Sequence, residues 1–159
     1  MGLDAVVDCN CYETGRLKTP PPPGIEIEVS PDGSINCASE TVDTAIALDA
    51  WLHQHACDHE DCTFLHHYIG NVALVAFLRK TLQQKADQFP VILSKVIYNG
   101  IHAGDYLTLD QVQQVREELA LLSAVACDTK EDQAYLDTFR NQMIELVSCA
   151  IELQKPIAF

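Results

Sequence analysis

The stretch from Trp51 to Cys62, WLHQHACDHEDC, carries the highest density of groups that bind metals or move protons. It holds three histidines, two cysteines and three acidic residues in twelve positions. A second pair of thiols, Cys9 and Cys11, lies near the N-terminus, and on an extended strand their i, i+2 spacing puts both on one side. Thiolates and imidazoles are ligands that zinc prefers, so the two segments together predict a soft metal site.

Six residues are the predicted sources of metal ligands: Cys9, Cys11, Cys57, His59, Cys62 and His66. Four protein ligands in a tetrahedron would make a structural zinc site, whereas three ligands and a bound water would make a hydrolytic one. The loop spacing, Cys-x4-Cys, is slightly long for a zinc knuckle, Cys-x-Cys is short, and the chain has no Cys-x2-Cys pair, so the ligand types indicate a metal more than their spacing does. Whether the site is structural or hydrolytic stays open. The alternative is that the thiols are small buried apolar groups, as free cysteines often are.

Two further segments contain candidate functional residues. In YNGIHAGDYL, His102 and Asp105 are candidate catalytic residues, since an aspartate can orient a histidine that acts as a base. In HHYIGN, His67 and Asn71 are four residues apart, and on a helix they would line one face of a small-ligand pocket. The structural alternatives are a turn after a helix in the first segment and close packing at Gly70 in the second.

A thiol nucleophile is a further alternative. Cys57 or Cys11 together with His102 and Asp105 would form a thiol, imidazole and carboxylate set. The acidic neighbours of Cys57 argue against it, because negative charge raises a thiol's pKa and lowers its reactivity. The sequence also contains no Gly-rich phosphate loop, no Gly-x-Ser-x-Gly elbow and no His-Glu-x-x-His motif.

Composition narrows the class of protein. The 159 residues are 48% apolar and 21% charged, which is typical of a folded globular protein. The formal net charge of −13 disfavours nucleic acid and anionic membranes as partners, because both repel it. The longest clean apolar run, Val72 to Leu78, is too short to span a membrane. No basic segment precedes an apolar one at the N-terminus, and the number of cysteines, seven, is odd, so we expect reduced thiols in the cytoplasm.

The elements that must position these residues follow from hydrophobic periodicity. We predict one domain over 1–159 with a mainly α (α+β) fold: a β element over 1–38, a helical core over 39–155 and an irregular tail over 156–159. The β element contains a strand in LDAVVDCNC, a polyproline spacer at 20–23 and a hairpin from GIEIEVS to INCAS. About five helices follow, at 41–53, at 64–85, at 90–100, after the capping-box pattern at Thr108, and after Thr129.

Four segments of the chain, MGLDAVVDCNC, LHHYIGNVALVAFLR, YNGIHAGDYL and KPIAF, resemble a group of small uncharacterised bacterial proteins, and the resemblance covers nearly the whole chain. It implies a compact bacterial cytosolic protein and transfers no activity and no catalytic residue.

The sequence leaves two hypotheses of function, which belong to different classes of protein. The first is a small protein with a zinc or small-ligand pocket formed by the cysteines, His59, His66 or His67, and the His102 segment. The second is an acidic immunity or antitoxin-type protein that binds and inhibits a basic protein partner, with association speeded by electrostatic steering. The sequence also allows a homo-oligomer.

Overall fold

The computed structural model describes residues 2–38, 41–54, 56–101 and 103–159, and within them the chain has an α+β fold. The strands are β1 (Gly2–Asp8), β2 (Ile27–Val29), β3 (Ile35–Cys37), β4 (Thr63–Asn71), β5 (Tyr106–Leu107) and β6 (Ile157–Ala158). The α-helices are α1 (Val42–Gln54), α2 (Val72–Gln83), α3 (Leu109–Leu121) and α4 (Lys130–Leu153), with a π-helical segment at Ile92–Val96. Short 3-10 turns occur at Glu60–Cys62, Ala86–Gln88 and Leu122–Ala124. The predicted α+β class, with about five helices and an N-terminal β element, is confirmed.

Strand β1 lies inside a four-stranded antiparallel sheet with the order β4-β1-β6-β5. Its residues alternate, so that Leu3, Ala5 and Val7 are fully buried while Asp4 faces solvent. β2 and β3 pair separately as the predicted hairpin. The prediction of an irregular C-terminal tail is wrong, because Ile157–Ala158 forms β6, which pairs with the edge of β1 that β4 leaves free.

The predicted helix over 64–85 is wrong in its first third, where the chain forms β4 and only then enters α2. Phe64, Tyr68 and Ile69 suit a strand, and pairing with β1 along its length satisfies the backbone of this segment. Gly70 then allows the change of direction: its φ is +155°, and a Cβ there would lie 2.5 Å from Leu74 Cδ2.

The predicted helix starts at the C-terminal end of the chain are confirmed. Thr108 and Gln111 form a reciprocal capping box at the start of α3. The hydroxyl of Thr129 accepts a hydrogen bond from Asp132 N at the start of α4. Both caps satisfy N–H groups that have no partner inside the helix.

The other two helix predictions hold in part. The first helix is α1, where the Thr41 hydroxyl accepts from Thr44 N at 3.2 Å; the other cap candidate, Ser39, lies outside the described residues. Helical structure starts at Pro90 as predicted, but it continues only as the π-helical segment Ile92–Val96 and stops short of Gly100.

Buried apolar residues form two separate clusters. The main core lies between the sheet and α2, α3 and α4, and Leu78, Phe89, Phe139 and Met143 are among its largest fully buried side chains. The small core lies beside α1 and the hairpin, and its buried members are Cys9, Cys11, Ile35, Leu48, Trp51, Ala56, Cys57 and Cys62. Among the described residues, no helix combines the length and apolar character needed to cross a membrane.

The small core belongs to one continuous part of the chain, residues 9–62, which we call the inserted segment. It leaves the sheet at the end of β1 and returns at the start of β4, and these two strands are antiparallel neighbours. Its two ends therefore meet, and Cys9 N donates a hydrogen bond to Cys62 O at 2.7 Å. This junction is the neck of the inserted segment.

Candidate metal centre

The four groups of the candidate site come from both sides of the neck. Cys9 and Cys11 directly follow β1, and Cys57 and His59 lie in the loop between α1 and β4. Ala56 N donates to Trp51 O at 2.9 Å, which ends α1 and turns the chain back toward the sheet. The pairing of β1 with β4 then brings two segments together that are almost fifty residues apart in sequence.

The thiols of Cys9, Cys11 and Cys57 and one ring nitrogen of His59 all lie within 4.8 Å of one another. Cys9 Sγ is 3.7 Å from Cys57 Sγ, and His59 Nδ1 is 3.5 Å from Cys11 Sγ and 3.6 Å from Cys57 Sγ. A tetrahedron with Zn–S of about 2.3 Å and Zn–N of about 2.05 Å has S···S edges of about 3.8 Å and S···N edges of about 3.6 Å. The cluster therefore has the size of a four-coordinate site, and it could hold a metal ion.

The surroundings hold these groups in place. The three thiols are buried in the small core, whereas His59 is partly exposed at the edge of the cluster. The His59 ring packs against Phe64, with 5.1 Å between ring centroids. This contact supports the ring orientation in which Nδ1 points at the thiols.

Backbone hydrogen bonds lower the pKa of two of the thiols: that with Cys11 acts on Cys9, and that with His59 acts on Cys57. The Cys57 thiol also donates to the carbonyl oxygen of His59 at 3.6 Å. A hydrogen bond that lowers a thiol's pKa favours the thiolate, which is the form that binds metals. Such hydrogen bonds to ligand atoms are typical of metal sites.

Without a metal, other effects outweigh these hydrogen bonds. A hydrogen bond with the Cys62 thiol, followed by burial, raises the pKa of Cys9 above the usual range of thiols. Burial raises the pKa of Cys57 to about 11 and also raises that of Cys11. Protonated thiols are poor nucleophiles at neutral pH, which argues against Cys11 or Cys57 as a catalytic nucleophile in the metal-free protein.

Cys62 adds a fourth thiol, and so a fifth candidate ligand, beside the four groups. Its Sγ is 3.8 Å from Cys57 Sγ, and it is buried in the small core. Asp61 and Cys62 have φ values of 51° and 58°, in the left-handed region that residues with a Cβ seldom adopt. This tight turn before β4 accompanies the inward position of the Cys62 side chain.

His66 does not join this group. It alternates to the solvent side of β4, where its Nε2 lies 2.8 Å from Asp4 Oδ1 on the neighbouring strand. Its predicted role as a ligand, like that of Cys62, stays a prediction.

The predicted pair of His67 and Asn71 is separated, because the segment is a strand rather than a helix. His67 Nε2 lies 2.8 Å from Glu145 Oε2 on α4, and the Asn71 side chain caps α2 by accepting from Leu74 N. The inference that both line one helix face is wrong, and each has a structural partner instead.

The predicted catalytic pair is described only in part. Asp105 accepts a hydrogen bond from the Tyr98 hydroxyl, and its backbone carbonyl accepts from Phe159 N at 2.9 Å. His102 lies outside the described residues, so its pairing with Asp105 stays a prediction.

A second group that the sequence analysis did not single out lies on the surface of the same loop. His53, Glu60 and Asp61 are exposed, and their ligand atoms lie within 4.8 Å of one another. His53 Nδ1 is 2.6 Å from Asp61 Oδ1, and this hydrogen bond raises the pKa of His53. We interpret the contact as an exposed tie between α1 and the loop.

Lys155 connects the inserted segment to the C-terminal end of the main core. Its side chain is buried, and Nζ donates to Glu13 Oε1 at 2.5 Å and to Gly33 O at 3.0 Å. Asn10 Nδ2 also donates to Leu153 O at 3.2 Å. The sequence gives no sign of these ties, since each joins positions more than a hundred residues apart.

Comparison with known proteins found no matching family model, no matching curated protein and no matching solved structure. The function is therefore inferred from the site itself.

Proposed function

We propose that this protein is stabilised by one structural zinc ion, which Cys9, Cys11, Cys57 and His59 bind at the neck of the inserted segment. The observation that carries the proposal is that three of the six edges between ligand atoms measure 3.5 to 3.7 Å, close to those of a zinc tetrahedron, and that all four atoms lie within 4.8 Å of one another. Packing alone places no such requirement on four side chains from two distant segments.

The choice of zinc follows from the chemistry of the ligands. Thiolate and imidazole groups are soft to borderline donors, and a tetrahedral set of three sulfurs and one nitrogen is typical of zinc. A structural role is favoured over a hydrolytic one, because four protein groups fill the tetrahedron and leave no position for a water. The burial of the three thiols also limits access of a substrate.

The ion would supply stability that the inserted segment does not obtain from buried apolar surface. Half of the buried side chains in the small core are cysteines, so the apolar area available for folding is small. A metal that joins Cys9 and Cys11 to Cys57 and His59 would close the loop at its base. The seven free cysteines fit a reducing compartment such as the bacterial cytosol that the sequence resemblance implies.

Elemental analysis of protein purified without a histidine tag tests the proposal. We expect about one zinc per chain, as one tetrahedral site requires. Thiol titration in denaturant should expose the cluster cysteines fully only after a chelator is added. Cobalt substitution should give the intense sulfur-to-metal charge-transfer absorption of a thiolate site. A metal-free wild type with seven freely titrating thiols would contradict the proposal.

Variants sharpen this test. Cys57→Ser and His59→Ala should lower both the metal content and the melting temperature. Cys149→Ser is the matched control: Cys57 and Cys149 are each 8% exposed, and burial raises the pKa of both to about 11, but Cys149 lies in the main core. It should keep its zinc. If all three variants kept equal zinc, the ligand assignment would be wrong.

The acidic inhibitor of a basic protein rests on the net charge of −13 and stays a prediction. A pull-down from the native host at low and moderate salt tests it. Recovery of no basic protein at either salt concentration would count against it.

A further inference from the structure

Five soft ligands surround a site that needs four. Cys62 is the group left over when the proposed zinc is bound by Cys9, Cys11, Cys57 and His59. Its Sγ lies 3.8 Å from Cys57 Sγ, and both side chains are buried in the small core. A structural zinc site gains nothing from an additional unligated thiol at this distance, so the position of Cys62 needs a separate explanation.

We propose that Cys62 is the resolving thiol of a peroxide-sensitive zinc switch, in which a Cys57–Cys62 disulfide forms and the metal is released. The inference rests on the proposed function, because it needs zinc bound through Cys57. It adds a regulation of that site by oxidants of the hydroperoxide class.

The chemistry needs only hydrogen peroxide as co-reactant. The Cys57 thiolate attacks one peroxide oxygen, the O–O bond breaks, and the products are a Cys57 sulfenic acid and hydroxide. The Cys62 sulfur then attacks the sulfenic sulfur, the S–O bond breaks, and a disulfide forms. The Cys62 proton leaves with the departing oxygen as water. In sum, one thiolate, one thiol and one peroxide give one disulfide, one water and one hydroxide.

Distance alone does not select this pair, because Cys9 Sγ is 3.7 Å from Cys57 Sγ, but Cys62 is the thiol that one short turn joins to Cys57. Cys57 is 3.8 Å from Cys62, and the sulfurs must approach to about 2.05 Å to bond. The turn that separates them is short, and it carries two residues in the left-handed region, Asp61 and Cys62. A local change in this turn can close the gap without moving β1 or β4.

The oxidant has a short path to the pair. Asp58, Glu60 and Asp61 in the same loop are exposed, and the partly exposed His59 ring with the exposed Phe64 forms the outer wall of the cluster. Peroxide is small, so rotation of the His59 ring or a small opening of this loop admits it. The switch is therefore on the surface side of the small core rather than in the main core.

Loss of Cys57 as a ligand leaves Cys9, Cys11 and His59, and the site loses one of its four donors. Zinc affinity falls, and the neck of the inserted segment opens. A reductant that cleaves the disulfide restores the fourth ligand and permits zinc to rebind.

The experiment uses the full chain, loaded with zinc and freed of reductant. Hydrogen peroxide is added, and zinc release is followed with a chromogenic chelator. We expect release together with an intact-mass loss of two hydrogens. Digestion with a protease that cuts at aspartate separates Cys57 from Cys62, because Asp58 and Asp61 lie between them, and should yield a linked pair of peptides. A phosphine reductant should reverse both changes.

Cys62→Ser should still bind about one zinc but release it roughly tenfold more slowly, since only direct over-oxidation of ligand thiolates remains. Cys127→Ser, which removes a half-buried thiol near the main core, is the control and should release zinc at the wild-type rate.

The outcomes separate the two proposals. A wild type without zinc removes the proposed function and this inference together. A zinc-bound wild type in which Cys62→Ser releases metal at the wild-type rate, or in which peptide mapping finds Cys62 unlinked, overturns the switch alone. If Cys62→Ser fails to bind zinc, Cys62 is a ligand and not a resolving thiol, which also overturns the switch. If the Cys62→Ser variant does not fold, peptide mapping of the oxidised wild type decides whether the switch is correct, because it shows whether Cys57 and Cys62 are linked.

Discussion

The main core and the small core differ in their amino-acid composition. Among the described residues, the main core has 25 buried members, of which one is a cysteine, Cys149. The small core has eight, of which four are cysteines. The main core contains Phe89, Phe139 and a set of fully buried leucines and isoleucines, whereas the small core has one large aromatic side chain that is buried, Trp51.

This difference indicates two sources of stability in one chain. The main core buries enough apolar surface to fold by the hydrophobic effect. The small core does not, and domains of that kind usually depend on disulfides or metals. Its cysteines are free and Cys9 Sγ and Cys57 Sγ lie at a metal-ligand separation, so the proposed zinc ion would supply this stabilisation. We therefore expect the two regions to respond differently to metal removal and to core mutations.

Metal removal should have the largest effect, and it should act on one region. Trp51 is the only tryptophan, so its fluorescence reports on the small core alone. Chelation should shift Trp51 emission to longer wavelength and abolish amide protection over 42–62, because structural zinc contributes roughly 10 kcal/mol or more of apparent folding free energy in small domains. The amides of α4 should remain protected in a hydrogen-exchange experiment. If metal leaves while Trp51 emission and protection stay unchanged, the small core does not depend on the ion.

Truncation in the main core should affect the whole molecule. Phe139→Ala should lower the free energy of unfolding by about 3–5 kcal/mol, since it leaves a cavity among fully buried side chains. Urea denaturation measures this value, and zinc content under native conditions should stay at that of the wild type. Asn141→Ala, on the exposed side of the same helix, is the control and should change stability by less than about 0.5 kcal/mol. Loss of zinc at equal folded fraction would show that the two regions are not independent.

Glu118 should make the stability of the main core depend on pH. Its carboxylate accepts hydrogen bonds from Val91 N at 2.8 Å and Ile92 N at 2.9 Å, where the helical segment after Pro90 begins. Burial raises the pKa of Glu118, although both hydrogen bonds lower it. The folded state thus binds this proton more tightly than the unfolded state does, and the Glu118 contribution to stability decreases as pH rises above the ordinary glutamate pKa.

Glu118→Gln should remove this pH-dependent contribution and cost about 1–3 kcal/mol at neutral pH, because one amide oxygen replaces two acceptors and a buried N–H loses its partner. Denaturation of both proteins across the acid range measures the difference. A wild type and a variant with parallel pH profiles would exclude Glu118 as the source of the dependence.

The smallest effect is expected at a helix cap. Thr108→Ala removes the hydroxyl that accepts from Gln111 N and should lower stability by about 1 kcal/mol. The midpoint of urea denaturation should fall with an unchanged slope, and Trp51 emission of the folded protein should not move. A change larger than that of Glu118→Gln would mean that the start of α3 has contacts beyond its cap.

Local signals were sufficient for several elements and for most of the proposed ligands. The caps at Thr108 and Thr129 are predictable because their partners lie three residues away. The i, i+2 spacing of Cys9 and Cys11 and the density of soft ligands around Cys57 and His59 predict that the two segments meet, and the structure brings these four residues together. The spacing of Cys57 and Cys62 could not show which of them belongs to the group of four, since that depends on the turn at Asp61.

The wrong and missed predictions share one cause, which is that they depend on pairing between segments distant in the sequence. IGNVALVAFL is apolar on most sides, and periodicity cannot separate a buried strand followed by a helix from one long helix. What decides is the partner strand β1, more than fifty residues away. β6 has two residues and no pattern of its own, and Glu118 and Lys155 find their partners only in the folded chain. Asn71 is a helix cap and not the predicted pocket residue, because α2 starts at Val72 and not at Phe64.

The order of strands in the sheet also constrains how the protein is made. β1 precedes the other described strands in the chain, yet it lies between β4 and β6, and its residue Val6 pairs with His66 on one side and Ala158 on the other. Contacts of such high sequence separation form slowly, and an unpaired apolar strand is prone to aggregation. During translation, β1 can pair with β4 only after the residues from 63 onward have been synthesised, and with β6 only after those from 157 onward. Closure of the neck is thus the earliest event that can shelter β1 while the rest of the chain emerges from the ribosome.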